Sequence, residues 1–141
     1  RHFSGRFFKR NQALWVSFVL KTPLFNIFIN GDSGRDSHYK EIGNKFGSFN
    51  LALMECGQYN YKWPKIHHFP EEVVESVVDL KAKRFLPGHW GKFALAKHSW
   101  DEPIKRVYQA SMGKNIPILM PQIGEIISLH NQENPPNWWI S

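Results

Sequence analysis

Cys56 is the only cysteine in the 141 residues. That excludes an intrachain disulfide and a cysteine-based metal cluster, and its place at the end of an apolar run reads as a buried structural thiol. Long apolar runs are missing too: none approaches the roughly 18 residues that a membrane-crossing helix needs. The opening RHFSGRFFKR has neither the hydrophobic stretch nor the small-residue cleavage site of a secretory signal, so it is not read as one. Cysteine usage of this kind is compatible with a cytoplasmic, periplasmic or lipid-anchored protein. Clusters of one charge sign are also scarce. The net charge of +6 suits an anionic partner, yet the Lys and Arg residues are scattered apart from RFFKR near the start and KAKR at Lys81–Arg84. A nucleic-acid footprint would gather them on one face or in a recognisable module, so nucleic acid is not an expected partner. Internal repeats and low-complexity windows are absent, and the length fits one domain with a moderate core.

What is present is aromatic and alternates between strand and helix signals. Ala13–Leu20 and Phe25–Asn30 are strand-like, and Thr22-Pro23 between them predicts a hairpin. Ser37–Phe46 spaces Tyr39, Ile42 and Phe46 as an amphipathic helix that Gly47 ends. Phe49–Cys56 reads as a buried strand, and Gly57–Phe69 as a loop rich in aromatics and histidine. Pro70-Glu71-Glu72 opens a helix, with proline and acid where the first turn favours both. Its apolar stripe is Val73, Val74, Val77, Val78 and Leu80. Arg84–Pro87 is a short strand leading into Gly88-His89-Trp90-Gly91. A third helix over Glu102–Lys114 should turn Ile104, Val107, Tyr108 and Met112 inward. Ile118–Met120 and Glu125–Leu129 are expected to be closing strands, and residues 131–141 form a Pro-rich aromatic tail. The alternation places the chain in the α/β class.

The stretch FNIFINGDSG, Phe25–Gly34, stops an apolar strand at a lone carboxylate, Asp32, between glycines. Gly31 and Gly34 are expected to supply positive φ and to keep bulk away from what Asp32 faces. Strand-to-loop edges are where α/β sheets collect ligand-binding groups. Asp after Gly is also an ordinary turn-former or helix N-cap, and the residues alone leave both readings open. His2 and His89 are the other polar residues beside glycine or aromatics. Imidazole nitrogen and carboxylate oxygen are suitable donors for Zn²⁺ and similar ions.

RHFSGR, FINGDSG, CGQYNYKW followed by IHHFPEE, and LPGHWGKFAL occur in the order of the C-terminal motifs of the metallo-β-lactamase superfamily, which the chain resembles. Within it, the chain is most similar to the branch of N-acyl-phosphatidylethanolamine-hydrolysing phospholipase D and its bacterial relatives. The resemblance runs from Arg1 to about His98 and more weakly to Leu129. It implies that His2, Asp32 and His89 are metal ligands, with Asp32 bridging two zinc ions. His67 would be a catalytic histidine near the reacting group and would share that role with Asp32. His68 has no counterpart and is expected at the surface or behind the site. Tyr59, Trp63 and Trp90 would contact substrate.

The superfamily's first signature, His-x-His-x-Asp-His, has no equivalent in this chain, so the zinc site should be incomplete here. The implied fold is therefore roughly the C-terminal half of a four-layer αββα sandwich, occupying residues 1–130. Half a sandwich should be inactive alone and should expose an apolar sheet face, through which it dimerises or aggregates. The implied function of the intact enzyme is metal-dependent hydrolysis of a phosphodiester such as a phospholipid, with an anionic or acyl-bearing substrate. Lactone or phosphoester hydrolysis on the same scaffold is the alternative. A different class remains, a non-enzymatic module that binds an acidic partner.

Overall fold

A computed structural model describes residues 15–93, 95–130 and 138–139. His2 and the RHFSGR segment lie outside the described residues, as does most of the tail. The first two strands, β1 (Phe18–Lys21) and β2 (Asn26–Ile29), form the expected hairpin, antiparallel with Phe18 opposite Ile29 and Lys21 opposite Asn26. Thr22 closes the turn, its hydroxyl accepting from the Phe25 amide at 2.8 Å. Helix α1 (His38–Phe46) then carries the chain back to β3 (Leu51–Glu55), parallel to β2. Helix α2 (Pro70–Asp79) does the same for β4 (Phe85–Gly88), parallel to β3. Helix α3 (Glu102–Lys114) follows and packs on α2. The sheet order is β1-β2-β3-β4.

The helix starts follow the sequence closely. Pro70 fills the first turn of α2, where its missing N–H costs nothing, and the Glu72 carboxylate accepts from the Phe69 amide at 3.0 Å. Asn115, left-handed at φ 53°, ends α3. The core lies between one face of the sheet and the helices. Phe28, Ala52, Met54 and Phe85 meet Tyr39, Val73, Val77, Ile104 and Val107 there, all essentially shielded from water. The indole of Trp139 is buried in the same core, edge-on to Tyr108.

The opposite sheet face is also apolar. Phe18 and Leu20 pair with Ile29 and Ile27, and these with Leu53 and Leu51, so all six point to that side. Phe18 is 60% and Leu20 49% exposed.

Several expectations are corrected. Glu125–Leu129 is not a strand: it is irregular and Ile126 is fully open to solvent. Of the other expected closing strand only Ile118 pairs, in a single parallel bridge to Phe85, because Pro117 and Pro121 withhold the amides that would extend it. Met112 on α3 and Val78 on α2 face water rather than the core. Gly31 and Gly34 do not adopt positive φ. They are needed for close approach, since a Cβ would lie 2.4 Å from the Val16 carbonyl oxygen at Gly31 and 2.6 Å from the Lys65 backbone at Gly34.

Candidate metal centre

The parallel strands all end on one edge of the sheet, and the chemistry-bearing residues leave from there. Asp32 follows β2, Glu55 closes β3 and His89 follows β4. His67 comes to the same edge from the loop before α2. Asp32, His67 and His89 each offer one donor atom, and these atoms lie within 4.8 Å of one another. The Asp32 Oδ1 to His89 Nε2 distance is 3.7 Å. The His67 and His89 rings stack at 5.2 Å between centroids, and Trp15 stacks on His67 at 6.5 Å. Beside them opens a cleft of about 270 Å³ lined by Asn30, Gly31, Asp32, Glu55, Gly88 and His89.

Local backbone packing sets the His89 position. The Cys56 amide donates to the Gly88 carbonyl at 3.0 Å, extending the β3–β4 ladder to the rim of the cleft. His89 itself is left-handed at φ 65°. Gly57 lies so close beneath it that any side chain would meet the His89 carbonyl. A non-glycine residue keeps such a conformation only when its surroundings hold it there.

Behind His67 lies a buried acid that the sequence reading passed over. Glu55 Oε2 lies 3.2 Å from His67 Nδ1. Its Oε1 accepts from the His68 amide at 2.8 Å and lies 3.0 Å from His68 Nδ1. His68 is fully buried, which corrects the surface half of its expectation, and its Nε2 sits 3.0 Å from Ser76 Oγ. Burial pushes the Glu55 carboxyl up to about 7, against the opposing pull of His68 and with a small addition from the Asp32 charge. Burial likewise holds the Cys56 thiol well above its usual range, so it is a packed, protonated group.

The three aromatic residues expected at the substrate do not line this cleft. Tyr59 turns toward α3, where its hydroxyl donates to Glu102 at 2.6 Å and Arg106 lies over its ring at 5.3 Å. Trp63 donates to the Gln58 carbonyl at 2.9 Å. Trp90 donates to the Pro87 carbonyl at 3.2 Å and stacks with Trp100 and Trp138. Gln58, another residue not singled out, is buried and accepts from the Leu95 and Ala96 amides at 2.8 and 3.0 Å. Its side chain also donates to the Phe93 carbonyl. One glutamine therefore fastens the segment that follows His89.

Two imidazoles and a carboxylate at the carboxyl edge of a parallel sheet form a donor set suited to a divalent cation of the zinc type. A spacing below 4.8 Å needs only small side-chain rotations to reach the roughly 3–4 Å between ligands of one ion. The chain belongs to the metallo-β-lactamase superfamily: residues 1–90 match the model of the beta-lactamase superfamily domain. It is 37% identical over 142 residues to an uncharacterized protein of Mycobacterium tuberculosis, covering 99% of this chain and 38% of that protein. It is 37% identical over 114 residues to the mitochondrial N-acyl-phosphatidylethanolamine-hydrolyzing phospholipase D of Saccharomyces cerevisiae, covering 75% of this chain and 24% of that enzyme. Among solved structures, Igni18, a metallo hydrolase from Ignicoccus hospitalis, superposes with a TM-score of 0.62 at 14% identity, over 82% of this chain and 46% of that one. The chain thus spans between 24% and 46% of the length of these proteins. Its fold is that part of the metallo-β-lactamase sandwich.

Proposed function

We propose that this chain supplies one wall of a dizinc hydrolytic site, and that the full-length protein cleaves a phosphodiester of the phospholipid kind. The observation that carries the reading is the convergence of donor atoms of Asp32, His67 and His89, from three separate segments, to within 4.8 Å of one another. Relatives that include a phospholipase D support the substrate class. Asp32 and His89 would hold metal, with His2 as a further ligand. When bound, the metal supplies Lewis acidity and lowers the pKa of a water it holds toward 7. His67, the third donor of that cluster, would join them as a ligand when metal is bound.

The 141-residue chain alone is inactive in this reading, since the superfamily draws half its donor set from a His-x-His-x-Asp-His signature that these residues do not contain. The apolar face around Phe18 and Leu20 is the surface through which the isolated chain pairs with a second copy. Light scattering should give a dimer or larger species, and a dispersed monomer would remove that part of the proposal.

A second reading, a module that binds an acidic partner, draws on the +6 net charge. One experiment separates the two. A full-length protein is assayed on a chromogenic phosphodiester and on a lactone, with and without Asp32→Asn. Phosphodiester turnover that falls at least a hundredfold in the variant supports the hydrolase. Lactone turnover alone moves the substrate class, and no turnover on either favours the binding module.

A further inference from the structure

The carboxylate of Glu55 sits at the centre of a buried hydrogen-bonded chain that the proposed reaction does not use. The chain runs from Ser76 Oγ to His68 Nε2 (3.0 Å), from His68 Nδ1 to Glu55 Oε1 (3.0 Å), and from Glu55 Oε2 to His67 Nδ1 (3.2 Å). The direction of these bonds follows for the ionised carboxylate, the form present at pH 8. The His68 backbone N–H can only donate, and it meets Glu55 Oε1 at 2.8 Å. An ionised Glu55 can only accept, so both facing ring nitrogens must carry hydrogen. His68 is then the Nδ1–H tautomer, and its Nε2 accepts from the Ser76 hydroxyl. His67 is also the Nδ1–H tautomer, which puts its ring lone pair on Nε2.

We infer that Glu55 is a positioning residue for His67: it fixes the tautomer and aim of that ring, with His68 and Ser76 anchoring the carboxylate from behind. The inference rests on the proposed metal site for its purpose and on the buried geometry for its substance. An imidazole in water swings freely and exchanges tautomers. Here the Glu55 carboxylate grips one edge of the His67 ring while Trp15 and His89 flank it, at 6.5 and 5.2 Å between centroids. A carboxylate on the far nitrogen also makes a histidine more basic at its near one, as second-sphere acids do for metal-binding histidines. Glu55 has the burial to do this, being only 6% exposed, and His68 has none of its surface exposed. A carboxylate placed there for packing alone would be a costly choice, because burying a charge is repaid only by hydrogen bonds of this number and quality.

The test reads the tautomer and not turnover. Chain labelled with ¹⁵N at histidine is studied without metal at pH 8 by long-range ¹H–¹⁵N correlation, in the wild type, Glu55→Gln and Ser76→Ala. The wild-type His67 ring should show a protonated Nδ1 and an unprotonated Nε2. Glu55→Gln should shift it to a mixture or to Nε2–H, and Ser76→Ala should leave it Nδ1–H. A wild-type ring found as Nε2–H overturns the inference with no variant needed, even if Glu55→Gln does not fold. An unchanged tautomer in a folded Glu55→Gln overturns it as well. Titration with Zn²⁺ alone separates this outcome from the fate of the metal site. Glu55→Gln should weaken zinc about 10–100-fold. A wild-type chain that keeps Nδ1–H at His67 yet binds no zinc upholds the role of Glu55 and refutes the metal reading.

Discussion

Gly57→Ala should damage the site without touching any of the donor groups. Gly57 follows β3 directly beneath the turn that carries His89. A Cβ built there lies 2.0 Å from the His89 carbonyl oxygen and 3.0 Å from its carbonyl carbon. Both obstacles are backbone, so no side-chain rotation relieves the overlap, and the His89 turn must retreat by more than about 1 Å to regain ordinary contact. Overpacking of this kind costs about 1–3 kcal/mol. With an unfolding entropy of about 2.1 cal/mol/K per residue, a chain of this length should melt about 3–10 °C lower. The functional effect should be larger than the thermal one, because a displacement near 1 Å in a catalytic geometry costs about a hundredfold. Gly113→Ala is the matched control: it lies in α3 with nothing within 4 Å of the added Cβ, and should raise stability by about 0.5–1 kcal/mol. The assays are calorimetric melting and zinc competition against a chromogenic chelator. A Gly57→Ala chain that melts and binds zinc like the wild type would refute the claim that backbone packing at Gly57 places His89.

The buried acid and the buried amide give two further expectations. Glu55 is raised by burial from 4.5 to about 7, so the folded chain keeps a proton that the unfolded chain releases. Its contribution is therefore present below about 4.5 and is lost as pH rises toward 7, with a slope of at most about 1.4 kcal/mol per pH unit. Urea unfolding at pH 5 and pH 7 should show the loss in the wild type and a smaller one in Glu55→Gln; equal pH dependence would contradict the buried, protonated acid. Gln58→Ala strips partners from the Leu95 and Ala96 amides and should cost about 1–3 kcal/mol. Amide hydrogen exchange at those two residues should accelerate while exchange in α2 stays unchanged.

The elements legible in the sequence are those whose signals are local. Pro70 with two glutamates marks the start of α2, Thr22-Pro23 marks the hairpin turn, and the apolar run before Asp32 marks a strand ending in a carboxylate. The Glu125–Leu129 stretch shows where local signal misleads, because its apolar pattern has no neighbouring strand edge to pair with. Glu55 was hidden by its setting: a lone acid at the end of FNLALMEC looks like the polar last residue of a strand. Only the fold brings His67, His68 and Ser76 around it. The one available hint was that the acid stands between Met54 and Cys56 in a run otherwise fit for burial. Gly57 and Gln58 were hidden for the same reason, since each acts on residues more than thirty positions away. Tyr59, Trp63 and Trp90 have partners that only the fold reveals: Glu102, the Gln58 carbonyl and a stack of indoles.

The central claim is that Asp32, His67 and His89 converge to hold a divalent cation. Its most direct test is zinc affinity, measured by chelator competition on the chain and on Asp32→Asn, His67→Ala and His89→Ala. The account predicts one saturable site in the wild type that weakens at least tenfold in each variant, while Lys114→Ala, far along α3, changes nothing. Affinity that is the same in all four proteins and Lys114→Ala, or no saturable site in the wild type, would contradict it.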